Sequence, residues 1–421
     1  MIQNRKSVSV NGRLYAWPQA PLVVICCDGS EPAYMDIALG QGLMPHLERM
    51  IGKGESRLGL SAMPSFTNPN NLSIVTGRPP AVHGICGNYL IDPESGREVM
   101  MNDPKWLRAP TIFAEFQKAG AKVAVVTAKD KLRLLLGKGL AFDGSAICFS
   151  SEKADKATLA ENGIEDARQL THMPVPDVYS AELSEFVFAS GVALLKTIRP
   201  DLMYLSTTDY IQHKYAPGAR KANDFYAMMD RYLGELDALG ATVVIVADHG
   251  MKDKHLANGE PDVVFLQDAL DQKFGAGQTK VILPITDPYV VHHGALGSFA
   301  TVYLYGPKAE EVTRYIASQP GIDVVVTRKE GCARFELPED RMGDLIVVSG
   351  GKTHSKVIGT SRDKHDLSGL TEPLRSHGGL SEQEIPIIVN RKTHGLAGPL
   401  RNFDAFAIGC NHIAAHREQA A

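Results

Sequence analysis

LVVICCD (residues 22–28) and TVVIVAD (residues 242–248) share one form: a short apolar run, rich in β-branched residues, that stops at an aspartate. Side chains that are apolar on both faces suit a strand covered on both sides, the usual state of a parallel sheet. Similar runs occupy residues 122–127, 202–207 and 385–390. Between them lie amphipathic stretches at 44–52, 71–76, 111–120, 181–199 and 222–239, which predict helices. Strand and helix alternate, so the chain reads as an α/β protein with a mostly parallel sheet flanked by helices.

Two regions depart from this rhythm. Residues 8–15, with Asn11-Gly12 at their centre, read as a small hairpin added to the core, because both turn residues tolerate positive φ. Residues 254–371 carry TVYLYG, a helix-like AEEVTRYIAS, and then DVVVTR, ARFELP and DLIVVSG, which read as strands. That pattern suits a small α+β cap insertion on an α/β core built from residues 1–253 and 372–421. The 421 residues, 44% of them hydrophobic, suffice for one large core and a smaller unit.

The net charge of −4 gives no general affinity for nucleic acid or an anionic membrane, while leaving room for a local anion pocket. The amino-terminal MIQNRKSVSVNGRLYAW lacks a basic segment followed by an apolar run, and no stretch approaches the roughly 18 apolar residues of a membrane span. A soluble, cytoplasmic protein is expected. Six scattered cysteines read as reduced, buried thiols, and no CxxC pair is present, so a metal site would be built from histidine and carboxylate. The oligomeric state stays open, a homodimer included.

Ligands of open α/β sheets gather outside the carboxyl ends of the strands. Asp28 and Asp248 end their runs there, and Asp209 follows LMYLSTT. Each alone fits a turn or a helix cap. Three on one rim repel one another unless cations lie between them. His213 follows Asp209 by four residues, a spacing that shares one helical face; His249 follows Asp248; His377 lies in SHGG before the last core run. Two clusters of carboxylate and imidazole suit zinc or a similar transition ion better than magnesium. His46, His83 and His416 read as structural or exposed, and His292 and His293 as structural or cap-contacting. Thr67, in MPSFTNPNNLSIVTGRPPAVHGICGN, precedes an apolar helical stretch. It fits a helix cap, and it also fits a nucleophile facing a phosphoryl group held at the helix amino terminus.

The ordered set Asp28-Gly, Thr67 within SFTNPNN, SIVTGRPPAVHGI followed by Asn88, Asp209-x-x-x-His213, Asp248-His249-Gly250 and His377-Gly378 resembles the nucleotide pyrophosphatase and phosphodiesterase branch of the alkaline phosphatase superfamily. More narrowly, SFTNPNNLSIVTGRPPAVHGICGNY, VVTAKDKLR and ICFSSEKAD resemble its phosphonoacetate-hydrolysing members. The resemblance spans almost all of the core. It implies an alkaline phosphatase-like fold, two zinc ions, and hydrolysis of the carbon–phosphorus bond of a small anionic phosphonate to acetate and phosphate. It further implies that Asp209, His213 and His377 hold one ion, and Asp28, Thr67, Asp248 and His249 the other. Asn88 matches a position whose amide assists the phosphoryl oxygens. Thr67, Asn88, Lys129, Lys131, Asp209, His213 and His377 are thereby expected to face the substrate.

These residues suit the reaction. Thr67 is mostly protonated near neutrality and needs an activator, and zinc lowers the pKa of a bound oxygen, for water from roughly 16 toward 7. A pair of ions on the order of 4 Å apart neutralises charge on both sides of an in-line displacement. The expected intermediate is phosphothreonine at position 67. The leaving carbon departs as a carbanion, which an adjacent carboxylate delocalises if cations hold its oxygens. Lys129 and Lys131, two residues apart and on one side of an extended segment, are read as that carboxylate's partners. A nucleotide phosphodiesterase, a phosphomutase and an inactive metal-binding scaffold are the competing readings.

Overall fold

The computed structural model of the protein describes residues 6–287, 294–351, 356–367 and 370–414. An eight-stranded sheet crosses it in the order Leu400–Arg401, Glu55–Leu60, Glu384–Val389, Thr242–Val246, Leu22–Cys26, Leu202–Ser206, Val123–Thr127, Ala146–Ser150. Every neighbouring pair is parallel except the two made by Glu384–Val389. This is the mostly parallel α/β sheet that the alternation predicts. Its odd strand has a simple cause: the chain reaches it from His377, on the carboxyl-end rim, and must run back down.

Alternation along each strand sends one set of side chains to each face. Leu22, Val24, Cys26, Val125, Tyr204 and Val244 join one buried apolar cluster, whereas Val23, Ile25, Val126, Leu205, Val243 and Ile245 join another. Five adjacent parallel strands, from Thr242–Val246 to the edge strand Ala146–Ser150, also share one register. Val246, Cys26, Ser206, Thr127 and Ser150 stand opposite one another in a single row at their carboxyl ends.

The five helices expected between the strands are Pro45–Lys53, Thr67–Thr76, Ile112–Lys118, Glu182–Thr197 and Arg220–Ala238. Two strands escape the apolar pattern. Glu55–Leu60 (ESRLGL) leaves most of its side chains partly or fully exposed beside a two-residue edge strand, and Ala146–Ser150 dilutes its apolar run with small residues. The hairpin of Ser7–Val10 and Arg13–Ala16 forms as expected, turning at Asn11 and Gly12 with φ of 51° and 74°. It is more than an addition: Val8, Val10 and Tyr15 are buried in the same cluster as the central strands.

The region expected to be a cap holds a separate four-stranded antiparallel sheet, ordered Thr279–Ile282, Phe299–Leu304, Leu345–Ser349, Ile322–Thr327. AEEVTRYIAS gives the helix Ala309–Ala317. ARFELP, read as a strand, instead ends the helix Arg328–Phe335. The reason lies upstream, where Thr327 and Glu330 form a reciprocal capping box that starts a helix. Val281, Phe299, Val302, Leu345 and Val347 of this sheet pack into the same apolar cluster as Val24 of the main one and Phe66, which precedes the helix Thr67–Thr76.

All six cysteines are free and buried. Among the described residues no helix is long and apolar enough to cross a membrane.

The chain's departure from the main sheet and its return are joined by a buried ion pair. Lys254 Nζ lies 2.9 Å from Glu382 Oε1, with side-chain exposures of 1% and 0%. Lys254→Met should therefore lower stability by about 3–5 kcal/mol, because it strands a buried carboxylate. Lys254→Met/Glu382→Gln should recover most of that loss. Urea midpoints check this, and a double variant no more stable than the single would show that the stranded charge is not the cause.

Candidate functional site

The common register of these five parallel strands builds the site. Beyond the row Val246, Cys26, Ser206, Thr127, Ser150, each strand releases a charged residue two or three positions later: Asp248, Asp28, Asp209, Lys129 and Glu152. With strands about 4.8 Å apart, five ionisable side chains arise along one short rim. Gly29 lets the chain turn away after Asp28: its φ is +67°, and a Cβ there would lie 2.9 Å from Asp209 Cβ.

Asp209 and the helix Tyr210–Lys214 bring His213 Nε2 to 2.9 Å from Asp209 Oδ2, as the four-residue spacing predicts. His377 Nε2 is 3.7 Å from the same oxygen. His249 Nε2 is 3.3 Å from Asp28 Oδ1 and 3.7 Å from Asp248 Oδ2, and its ring stacks on His377 at 3.7 Å. Asp209, His213 and His377 converge as one possible donor group and Asp28, Asp209 and His249 as a second, so Asp209 stands at their junction. Asp248 flanks the second group, with Oδ1 receiving Gly29 N–H (3.2 Å) and His249 N–H (3.0 Å).

The donor set fits divalent cations. All three imidazoles place Nδ1 against a backbone carbonyl: His213 on Arg375 (2.8 Å), His249 on Gly250 (2.9 Å) and His377 on Ser65 (2.8 Å). Each ring is thereby oriented with Nδ1 as a donor and Nε2 turned inward, the orientation typical of metal-ligating histidine. Asp28 Oδ1 is buried and accepts no hydrogen bond. Burial, then the charges of Asp209 and Asp248, push the Asp28 carboxyl well above the usual carboxylate range. Burial raises Asp248 too, with His249 opposing. Burial acts the same way on Asp209, but His213, His377 and His249 hold it well below. His377 is pushed well below its ordinary value by burial and the neighbouring imidazoles, which keeps it neutral, as a ligand must be. Against its burial, the neighbouring Asp209 carboxylate raises His213. A buried group of carboxylates and imidazoles with no thiolate suits zinc or a similar ion.

Thr67 opens the helix Thr67–Thr76 but does not cap it, since the cap position is Phe66 and no side chain fills it. The Thr67 hydroxyl lies 3.3 Å from His249 Nε2 instead. Two asparagines that the sequence reading passed over fix it there. Asn70 Oδ1 receives Ala62 N–H at 2.7 Å, and its amide donates to the carbonyls of Ala62, Pro64 and Phe66, locking the turn before Thr67. Asn71 donates to Thr67 O (3.0 Å) and Asp248 Oδ2 (3.2 Å) while accepting from Tyr204 OH (2.7 Å) and Ser206 Oγ (2.8 Å). Their signal was two adjacent polar residues, poor helix formers, at the start of a predicted helical stretch.

A cavity of about 280 Å³ joins these residues to the rest of the expected site: Asp28, Thr67, Asn88, Lys129, Lys131, Asp209, His213 and His377 all line it. Asp248 and His249 lie behind. Asn88 donates weakly to Ile285 O at 3.4 Å. Lys129 and Lys131 do not stand on an extended segment, because the strand ends at Thr127 and a helix starts at Asp130. Both still reach the cavity: Lys129 donates to Val178 O (3.1 Å), and Lys131 meets both oxygens of Asp287 at 2.9 Å. Burial holds Lys129 below its usual range, against the pull of Glu152. Glu152, Tyr179 and Asp287 also line the cavity and were not anticipated. His83 is structural, bonded to Ser73 Oγ at 2.9 Å and lowered by burial to about 3. His292, His293 and His416 lie outside the described residues.

A family model for type I phosphodiesterase / nucleotide pyrophosphatase matches residues 22–379. The crystal structure of phosphonoacetate hydrolase from Sinorhizobium meliloti 1021, in complex with phosphonoacetate, is 62% identical and superposes with a TM-score of 0.94, covering 97% of this chain and 99% of that one. An uncharacterised pyrophosphatase/phosphodiesterase of Schizosaccharomyces pombe is 23% identical over 55% of this chain and 45% of its own length. A phosphonoacetate hydrolase of Penicillium oxalicum is 63% identical over 30 residues, 7% of this chain and 42% of its own. The matches thus span less than half the length of these two curated relatives. On the model match across most of its length and the near-complete superposition on a solved hydrolase, this chain is an enzyme of the hydrolase class and belongs to the type I phosphodiesterase / nucleotide pyrophosphatase family.

Proposed function

We propose that this enzyme hydrolyses phosphonoacetate to acetate and phosphate, using Thr67 as the nucleophile and a phosphothreonine intermediate. The observation that carries the reading is the meeting, in one small cavity, of the Thr67 hydroxyl, a carboxylate–imidazole cluster and two lysines. Support for the substrate comes from the 62%-identical relative with phosphonoacetate bound, and from a further structure of it with phosphonoformate. We further propose that Asp209, His213 and His377 hold one zinc and Asp28, Thr67, Asp248 and His249 the other, that residues 254–371 form a cap, and that the enzyme is cytoplasmic, in line with its free thiols.

Bound there, the two ions would neutralise the phosphoryl oxygens and ease deprotonation of the Thr67 hydroxyl. The chain supplies the rest. Asn70 and Asn71 hold Thr67 in place for attack on phosphorus; Asn88 orients the phosphoryl group; Lys129 and Lys131 bind the carboxylate and stabilise the charge that builds on it as the carbon–phosphorus bond breaks. The electron pair of that bond goes to the departing carbon, which takes a proton to become the methyl group of acetate. Water then attacks the phosphothreonine, giving phosphate and restoring Thr67.

The direct test offers phosphonoacetate and p-nitrophenyl nucleotide esters to the zinc-loaded enzyme. Equimolar acetate and phosphate are expected, and preferred turnover of the esters would instead make it a nucleotide phosphodiesterase. Thr67→Ala should keep both metal equivalents by elemental analysis while kcat falls on the order of 10³-fold or more; near-normal turnover would remove Thr67 as nucleophile. Lys129→Ala and Lys131→Ala should each lower kcat/KM for phosphonoacetate by roughly 10–100-fold, the worth of a hydrogen bond between charged groups. The same assay on an ester with an uncharged leaving group should show a much smaller change, and equal losses on both substrates would refute the carboxylate role.

A further inference from the structure

Four of the five chain segments that deliver the proposed ligands meet again behind the cluster, at one buried guanidinium. Arg375, 4% exposed, donates through Nε to Gln212 O at 2.9 Å, inside the helix that carries His213. Its Nη2 donates to Met251 O (3.2 Å), three residues after Asp248, and to Tyr34 OH (3.2 Å), and lies 3.6 Å from Glu31 Oε1, on the turn that follows Asp28. Its Nη1 pairs with Asp253. Its own carbonyl receives His213 Nδ1 at 2.8 Å, and its strand pairs with Lys252–Asp253 just before His377. One side chain therefore contacts the Asp28, Asp209–His213 and Asp248–His249 segments from the fourth.

We propose that Arg375 is a positioning residue that sets the separation of the cation ligands, and with it the affinity of the site. The inference rests on the cation-binding reading given above. Only arginine suits the task. Its five N–H donors lie in one rigid plane and reach several carbonyl and carboxylate partners together, whereas lysine offers one nitrogen at the same depth and satisfies a fraction of them. Partners of this kind, one shell outside the ligands, commonly tune metal affinity by about 10–100-fold.

The test uses the full chain and zinc itself. Zinc dissociation constants by chelator competition, and melting temperatures with and without zinc, are measured for the wild type, Arg375→Lys and Asp253→Asn. The last removes a carboxylate that is 57% exposed, and so tests the same network with little risk to folding. Arg375→Lys is expected to weaken zinc binding by about 10–100-fold and to shrink the melting shift that zinc produces, and Asp253→Asn to weaken it a few-fold. A purely structural role would lower the melting temperatures with and without zinc equally and leave the dissociation constant unchanged, which would overturn the proposal. If Arg375→Lys does not fold, unchanged zinc affinity in Asp253→Asn overturns it. Failure of the wild type itself to bind zinc would refute the cation reading on which this one stands.

Discussion

The register of five parallel strands is the constraint from which the rest follows. Because Val246, Cys26, Ser206, Thr127 and Ser150 stand in one row, whatever the chain places two or three residues later arises on a common rim. A slip of one residue in any strand would turn its alternating side chains to the wrong face and its terminal charged group away from the rim. The apolar clusters on the two faces hold that register, so the same burial that stabilises the sheet sets the spacing of Asp248, Asp28 and Asp209. Packing here does chemical work, because it brings together like charges that would otherwise separate.

Much of this was legible in the residues. Apolar runs ending in aspartate gave the central strands and their polarity, and the four-residue step from Asp209 to His213 gave a shared helical face that the geometry bears out. What periodicity could not supply were features fixed by distant partners. Glu55–Leu60 is mostly exposed and has no apolar run to read, yet it pairs along its length with Glu384–Val389. ARFELP looked extended because its own six residues say little, while the signal that makes it helical sits at Thr327 and Glu330. Lys129 and Lys131 were read on a strand that ends two residues too early, and they reach the cavity from a helix start instead.

The asparagines of SFTNPNN show the same limit inside the site. Asn70 and Asn71 are adjacent, fully buried and costly to bury unless bonded, and nearly every polar atom they own is used. Asn70 holds the turn before Thr67, and Asn71 reaches across to Asp248 and to Tyr204 on a central strand. Their roles depend on residues 133 to 332 positions away as much as on near neighbours, which no local pattern encodes.

The order of charges along the rim gives the cavity its polarity. From Asp248 through Asp28 to Asp209 it is acidic and gathers the imidazoles; one strand further, Lys129 reverses the sign; at the sheet edge Glu152 reverses it again, and Asp287 answers Lys131 from the region beyond. Cations on the acidic side would leave both halves attractive to anions, and roughly two strand spacings, about 10 Å, separate the Asp28 strand from the Lys129 strand. A ligand that satisfies both halves is short and carries negative charge at each end. A bridging phosphonate–carboxylate meets that requirement within its own length. A phosphodiester, whose one charge sits at phosphorus between its two ester arms, would leave Lys129 partly desolvated and without an anionic partner from the ligand, and this difference in charge underlies the proposed choice of substrate.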